Sequence, residues 1–329
     1  VCVMIKKHIY IIACGGTIAG KAASPEDLTG YTAGEATIDE LLAAVPEIAQ
    51  YADVQGEQFC NIDSSNMSEA LWLALAKRVA EVAADDGVEG IVITHGTDSL
   101  EETAYFLHLT VHTAKPIVMV GSMRPSTAVS ADGPLNLLEA VQAATEPVLG
   151  QVGVVVVMNG VIHSARFVEK TDTTHVDTFK SRQMGCLGFM QDGRPQIYQV
   201  PLRRHTNESC LSCIQTASLP PVAVLYAYVG MSPSLVHAAA ANAQGIVLAG
   251  LGHGQMPDAV WEAVQEVETQ GTLVVRASRT LGGIVSTVPK YASLVCADTL
   301  TPQKAKILLQ LALLQTHDKK TIRQIFQEY

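Results

Sequence analysis

Two short segments place hydroxyl-bearing side chains directly after strand-like apolar runs. Thr17 follows the run "IIACGG", and Thr97 with Asp98 follows the run "GIVITHG". A threonine oxygen becomes a nucleophile when a neighbouring base or a hydrogen-bonded relay takes its proton. Doubly wound sheets place their chemistry at the carboxyl ends of their strands. The two segments therefore predict one site for nucleophilic catalysis, built at the ends of two strands.

The first of these turns also comes close to a phosphate-binding loop. Gly15 is followed after four residues by Gly20 and Lys21. The next position, Ala22, lacks the hydroxyl that such a loop needs, and the loop also requires a helix that starts at the lysine. Residues 22–34 instead contain one proline and two glycines without apolar periodicity. The turn therefore predicts no nucleotide site, and the segment after it is interpreted as a lid over a small substrate.

The composition is typical of a well-packed globular chain of one or two domains. Its 329 residues are 48% hydrophobic and 16% charged, and the formal net charge is −10. This acidic balance argues against a nucleic-acid or anionic-membrane surface, because phosphate groups attract cationic proteins. The apolar stretch Ile9–Cys14 is shorter than an export signal requires. We expect a cytoplasmic protein, or a periplasmic one if a leader peptide has been removed.

The seven cysteines are predicted to be reduced thiols. Their number is odd, and several lie in apolar runs, as Cys14 and Cys296 do. Cys210 and Cys213 form a single C-x-x-C pair without the further ligands of a tetrahedral zinc site. We therefore expect no metal and no other cofactor.

Strand-like and helix-like stretches alternate along most of the chain, which is typical of a sheet with helices on its faces. We predict an α/β fold with a larger N-terminal catalytic domain over residues 1–198 and a mainly parallel sheet. A smaller Rossmann-like domain is predicted over residues 221–329. Residues 199–220, where the periodicity weakens, are predicted as a linker. Apolar residues at helical spacing between Leu71 and Val82 predict a helix in the first domain.

Three capping signals predict where later helices begin. Ser99 and Glu102 form the sequence pattern of a capping box. Thr301 followed by Pro302 predicts the start of one C-terminal helix. Asp318 predicts the start of the last one.

Several motifs together carry a family resemblance over nearly the whole chain. They are "GGTIAG" (15–20), "YTAG" (31–34), "LLAAVPEI" (41–48), "ITHGTDSLEETAYFL" (93–107), "MVGSMRP" (119–125), "SADGPLNL" (130–137), "TFKS" (178–181) and "TPQKAK" (301–306). The chain resembles the bacterial-type L-asparaginases, which include the glutaminase-asparaginases. The resemblance implies hydrolysis of L-asparagine to L-aspartate and ammonia through a threonine nucleophile. The alternatives are a mixed glutaminase-asparaginase and a tRNA-dependent amidotransferase subunit.

The resemblance also implies roles for individual residues. Thr17 is the expected nucleophile, which forms an acyl-enzyme, and Tyr31 on the following loop is expected to help remove its proton. Thr97, Asp98 and Lys170 are expected to activate water or to relay protons. Substrate contacts are expected from Ser64, Ser65, Gly96, Asp98 and Gln255. The family forms homotetramers built from intimate dimers, in which a neighbouring subunit completes each site.

The chain departs from the family pattern at positions that select the substrate. Ser65 stands where many relatives carry glutamine or glutamate. His253 and Gln255 lie in a turn that replaces an asparagine-rich or serine-containing one. The segment Arg279–Leu294 is shorter than its counterparts and has no clear match for the acid that many relatives send across the interface. The substrate ammonium is therefore expected to depend mainly on Asp98.

Overall fold

The computed structural model of the chain describes residues 6–27, 30, 32, 34–213 and 215–329. Two units separate between Ser209 and Cys210, and each unit has its own sheet with helices beside it. The predicted α/β class, with a larger N-terminal unit and a smaller C-terminal one, is confirmed. None of the described helices has the length and the apolar character that crossing a bilayer requires.

The first unit is built on a mainly parallel sheet. Its strands are β1 (Lys7–Gly15), β2 (Ala52–Ile62), β3 (Gly90–Thr94), β4 (Ile117–Val120), β5 (Val154–Met158), β6 (Val161–Ser164), β7 (Glu169–Lys170), β8 (Phe179–Lys180), β9 (Gly188–Gln191) and β10 (Arg194–Ile197). Within the described residues, eight of them form one sheet in the order β10-β9-β6-β5-β4-β3-β1-β2. Strands β2, β1, β3, β4 and β5 are parallel neighbours. Strands β6, β9 and β10 complete the sheet by antiparallel pairing, and β7 pairs with β8 in a separate antiparallel ribbon.

Burial explains why the central strands are so apolar. Every residue of β3, β4 and β5 is buried, as expected for parallel strands that are covered on both faces. The helices of this unit are α1 (Ile38–Ala43), α2 (Ile48–Tyr51), α3 (Glu69–Ala83), α4 (Leu100–Thr110) and α5 (Gly133–Ala144). Helix α3 confirms the helix predicted from the apolar spacing, and it buries Trp72, Leu75 and Val79.

The capping box predicted at the start of α4 is wrong. Ser99 occupies the N-cap position, but its side chain makes no hydrogen bond to the helix backbone. Its hydroxyl instead donates to the carbonyl of Ser64 at 2.6 Å. A tertiary contact has therefore taken the oxygen that a local cap would use.

The second unit is a smaller parallel sheet with helices. Its strands are β11 (Val222–Tyr226), β12 (Gly245–Gly250), β13 (Leu273–Ser278) and β14 (Val295–Cys296), and its helices are α6 (Ser234–Ala240), α7 (Asp258–Thr269), α8 (Pro302–Leu313) and α9 (Lys319–Glu328). The strands pair in parallel in their numerical order. Asp318 caps α9 as predicted, since its carboxylate accepts from the Thr321 N–H at 2.9 Å. Thr301 precedes α8 as predicted, although its side chain makes no capping hydrogen bond.

Candidate active site

Three neighbouring parallel strands deliver hydroxyl-bearing residues to one edge of the first sheet. Thr17 follows β1, Ser64 follows β2 and Thr97 follows β3. Parallel strands end at the same edge, so these three residues lie in adjacent turns. All three are almost completely buried. The sheet topology therefore gathers them in a protected position.

Two glycines let the turns touch. Gly16 has a φ of +83°, and a Cβ added there would lie 2.2 Å from the Cα of Gly96. A Cβ added to Gly96 would lie 2.6 Å from Ser64 Oγ. No other residue fits these positions unless the turns move apart. Since Thr17 and Thr97 each follow one of the touching glycines, the close backbone approach sets their relative position.

Lys170 reaches the strand-end residues from the β7–β8 ribbon. Its ammonium group donates to Thr97 Oγ1 at 3.0 Å and to Asp98 Oδ1 at 2.6 Å. The Lys170 side chain is 18% exposed, whereas the Asp98 side chain is 58% exposed. The arrangement joins a buried hydroxyl, a shielded cation and a carboxylate that is open to solvent.

Ser64 is held by the start of α4 on two of its atoms. Its Oγ accepts a hydrogen bond from the Asp98 N–H at 3.1 Å, and its carbonyl accepts from the Ser99 hydroxyl. Because Oγ is the acceptor in the first bond, that bond leaves its own proton available to a ligand. The neighbouring Ser65 is exposed, and both its N–H and its hydroxyl donate to Asp63 Oδ1 at 2.9 Å.

Glu101 belongs to this site, and sequence reasoning missed it. The residue is 5% exposed, and its Oε2 accepts a hydrogen bond from the backbone N–H of Lys170 at 2.6 Å. Glu101 in α4 therefore binds the backbone of Lys170, and Thr97 and Asp98 just before α4 bind its ammonium group. An acid in the first turn of a helix is ordinarily explained by the helix dipole. Its position in the sequence therefore gave no signal of a role in the site.

The predicted site residues fall into three groups. Those that the structure brings together at one sheet edge are Thr17, Ser64, Ser65, Gly96, Thr97, Asp98 and Lys170. Tyr31 lies outside the described residues. Gln255 is an exposed residue of the second unit, and its backbone pairs with that of Leu251. The catalytic and binding roles of all these residues stay predictions.

A buried chain of hydrogen bonds supports the Gly96 turn. His95 Nδ1 lies 2.7 Å from the Gly96 carbonyl oxygen, and Nε2 lies 3.0 Å from Thr103 Oγ1. Trp72 Nε1 donates to the same Thr103 oxygen at 2.8 Å. A carbonyl only accepts, so the His95 proton is on Nδ1. Burial lowers the pKa of His95 to about 4, which keeps the ring neutral at neutral pH.

We expect the free energy of unfolding to fall as the pH is lowered from about 6.5 to about 4. In this window the unfolded chain protonates His95, whose ordinary pKa is 6.5, whereas the folded chain does not. The stability from the neutral ring is therefore fully present above pH 6.5, and the loss reaches about 3 kcal/mol at the lower end. Urea unfolding measured across this pH range gives the slope.

A substitution isolates the contribution of His95 to this pH dependence from the contributions of the other titrating groups. His95→Gln is expected to flatten the slope, and His175→Gln, at a side chain that is 73% exposed, is the matched control. Burial also lowers the pKa of His205, so the slope is reduced rather than abolished. A His95→Gln variant with the slope of the unmodified protein would contradict the assignment.

The described cysteines are neither joined in disulfides nor gathered into a metal site. The six cysteines that the structure describes are thiols rather than disulfides: Cys14, Cys60, Cys186, Cys210, Cys213 and Cys296. Cys210 is exposed and Cys213 is buried, both in an irregular stretch. Among the residues that the structure describes, no group of three or more histidine, cysteine or acidic side chains is arranged to hold a metal ion.

Comparisons with known proteins cover both units. A family model described as asparaginase, N-terminal, matches residues 8–203, and one described as glutaminase/asparaginase C-terminal domain matches residues 221–326. The chain is 46% identical over 327 residues to L-asparaginase 2 of Bacillus subtilis, covering 98% of this chain and 86% of that protein. It is 42% identical over 328 residues to the glutaminase-asparaginase of Pseudomonas aeruginosa, covering 98% and 90%. A crystal structure described as a probable cytoplasmic L-asparaginase from Campylobacter jejuni matches with a TM-score of 0.95 at 43% identity, covering 98% of this chain and all of that one.

Proposed function

The chain belongs to the asparaginase family, and from this premise we propose that it hydrolyses L-asparagine to L-aspartate and ammonia. The observation that carries the proposal is the Lys170 ammonium group bound to both Thr97 and Asp98. This charged cluster lies beside buried Ser64, at the end of the strands that also present Thr17. The cluster has the polar groups that a small zwitterionic amide needs.

The first half of the proposed reaction is acyl transfer to Thr17. Its oxygen attacks the carbon of the side-chain amide while Tyr31 helps to remove its proton. Backbone N–H groups of the glycine turns stabilise the oxyanion of the tetrahedral intermediate. The leaving nitrogen then takes up the proton removed from Thr17 and departs as ammonia, and an ester between Thr17 and the aspartyl group remains.

The second half is hydrolysis of that ester by water. Thr97 takes part in removing the proton from the water, and the Lys170 charge stabilises the negative charge that develops on the Thr97 oxygen. Lys170 also fixes Asp98 through a bond to one carboxylate oxygen. Attack by the water oxygen breaks the ester bond and releases aspartate. The proton removed from the water passes to the departing Thr17 oxygen and restores its hydroxyl.

The substrate is held by its α-groups. The Ser64 hydroxyl proton, which the bond from the Asp98 N–H does not use, donates to the α-carboxylate. Asp98 is open to solvent and has a second carboxylate oxygen for the α-ammonium. Glutamine carries the same α-groups on a side chain one methylene longer. Because one relative is named glutaminase-asparaginase, we also propose glutamine as a second, weaker substrate of this chain.

The proposal extends to the assembly and the location of the protein. We propose a homotetramer of intimate dimers, in which exposed Gln255 of one subunit contributes to the substrate site of its neighbour. We also propose a cytoplasmic location, since free thiols persist in a reducing compartment.

A coupled ammonia assay tests the proposed activity. We expect faster ammonia release from L-asparagine than from L-glutamine or D-asparagine. A Thr17→Ala preparation, purified in the same way, measures the ammonia that contaminating host enzymes release. Release from L-asparagine no greater than in that preparation would contradict the proposed function.

We expect the KM for L-asparagine to be high, because the segment Arg279–Leu294 contains no Asp or Glu. Without an acid from this segment, Asp98 is left as the main partner of the substrate ammonium. Loss of a partly buried charge pair costs about 2 kcal/mol, which is roughly 30-fold in affinity. The ratio of kcat/KM between L-asparagine and its deaminated analogue, succinamic acid, measures how much the ammonium contributes.

A small ratio together with a high KM is the expected result. His253 or Gln255 can recover part of the contact through neutral hydrogen bonds, which are weaker than charged ones. A micromolar KM combined with strict rejection of α-amino-blocked asparagine would mean that another acid holds the ammonium.

A further inference from the structure

Two cysteines face each other at the point where β1 and β2 run into the site. The strands pair Ala13 with Gln58 and then Gly15 with Ile62. Between these pairs β1 has the single residue Cys14, whereas β2 has three residues with Cys60 in the middle. The Cys60 thiol donates to the Cys14 carbonyl at 3.6 Å. This irregularity therefore places the two cysteines opposite each other.

The two thiols differ in exposure and in acidity. Cys14 is buried and Cys60 is half-buried. A hydrogen bond between the thiols lowers the pKa of Cys60. The same bond, with burial and the charges of Cys60 and Glu57, raises the pKa of Cys14 well above its ordinary value. The pair thus joins a half-buried, more acidic thiol to a buried partner thiol, an arrangement found at redox-sensitive cysteines.

We propose that Cys14 and Cys60 form a reversible disulfide when the protein meets a hydroperoxide, and that this disulfide switches off the hydrolysis. The second part of the proposal rests on the proposed function. Neighbouring strands of a regular sheet lie about 4.8 Å apart, and a disulfide tolerates about 4.4–6.8 Å between Cα atoms. At the irregularity itself, the contact from the Cys60 thiol to the Cys14 carbonyl shows that the two residues are close.

The chemistry balances with hydrogen peroxide as the oxidant. The Cys60 thiolate attacks one peroxide oxygen, the O–O bond breaks, and the departing hydroxide takes a proton and leaves as water. The Cys14 thiol then loses its proton as its sulfur attacks the Cys60 sulfenic sulfur. The S–O bond breaks, and a second water leaves. Two thiols have lost two electrons in total, and one peroxide has become two waters.

The backbone next to Cys14 is closely packed and cannot adjust freely to the new bond. A covalent S–S bond of about 2.05 Å is shorter than a hydrogen bond between the same atoms, so the two strands must adjust. Gly15 follows Cys14 directly, and a Cβ added to it would lie 2.7 Å from the Ile62 nitrogen. A Cβ added to Gly16 would likewise lie only 2.2 Å from the Cα of Gly96. A shift of Cys14 is therefore transmitted to Thr17, and misplacement of a reacting group by about 1 Å costs on the order of 10²-fold in rate.

The first measurement identifies the bond without any use of activity. The protein is treated with hydrogen peroxide, and its mass is expected to fall by two hydrogens. Peptide mapping is expected to find Cys14 joined to Cys60. Oxidation of Cys60 to the sulfinic acid, with no peptide linked to Cys14, would overturn the disulfide. This readout decides the matter even if the chain releases no ammonia from any amide.

The second measurement connects the bond to catalysis. Peroxide is expected to lower kcat on the order of 10²-fold, and dithiothreitol is expected to restore it, since a thiol reduces disulfides but not methionine sulfoxide. Cys60→Ser is expected to keep the basal rate and to resist peroxide. Cys186→Ser, which changes another half-buried thiol, is expected to remain sensitive. A linked protein with unchanged kcat, or equal sensitivity in Cys60→Ser, would overturn the switch.

Discussion

Replacement of Thr17 by alanine is expected to lower the kcat for L-asparagine by roughly 10⁴-fold or more, as loss of a covalent nucleophile does elsewhere. Thr17 directly follows Gly16, whose backbone contacts that of Gly96, the residue before Thr97. The side chain is almost completely buried, so bulk water does not reach its position freely. Once the hydroxyl is removed, the side chain at position 17 has no oxygen to accept the acyl group.

Acyl-enzyme trapping distinguishes the two threonines. Acid quenching during turnover is expected to show an aspartyl adduct on the unmodified protein and none on Thr17→Ala. Thr97→Val is expected to form the adduct and hydrolyse it slowly, because its predicted role is in the water step. An adduct on Thr17→Ala, or a loss of kcat smaller than about 10-fold, would contradict the role of Thr17.

Lys170→Met is expected to reduce kcat by about 10²–10⁴-fold, the range of general acid–base assistance, with only a small change in melting temperature. Methionine keeps much of the length and apolar stem of lysine but cannot donate to Thr97 or Asp98. Asp98 is more than half exposed and stays hydrated when the ammonium is lost. Steady-state kinetics and thermal unfolding of the same preparation measure both effects.

The β7–β8 ribbon offers a matched control. Lys180 lies on the partner strand, and its ammonium makes an exposed ion pair with Asp177 at 2.7 Å. Lys180→Met therefore makes the same chemical change on the same ribbon, away from Thr97. Its kcat is expected to stay unchanged. A Lys170→Met variant with the rate of Lys180→Met would remove Lys170 from the mechanism.

The sequence predicted those parts of the site that follow from strand ends. Thr17 and Thr97 each come directly after a buried strand, and parallel pairing of β1 with β3 brings such positions together. Lys170 is different, because it lies on a two-residue strand that has no detectable periodicity. Only the family resemblance pointed to it. A short ribbon is specified by distant contacts, which local patterns do not record.

Competing uses of one side chain explain what the sequence reasoning missed. Ser99 and Glu102 have the pattern of a capping box, but the Ser99 hydroxyl binds the Ser64 carbonyl, 35 residues away. From the local sequence, Glu101 is an ordinary acid at the start of a helix. In the structure, its carboxylate accepts a hydrogen bond from the backbone N–H of Lys170. In both cases a tertiary partner outcompetes the local one. Capping preferences describe residues close in sequence to the helix end and contain no information about that partner.

The separation along the sequence between Thr97 and Lys170 also sets the order in which parts of the site are synthesised on the ribosome. The turn that carries Thr97 emerges 73 residues before the lysine that binds it, and the ribbon partner of that lysine emerges later still. Contacts this distant along the chain form late in folding. A nascent chain that ends before β7 therefore contains both threonines but lacks the lysine that binds Thr97. The contact between Thr97 and Lys170 forms only after synthesis has passed the ribbon.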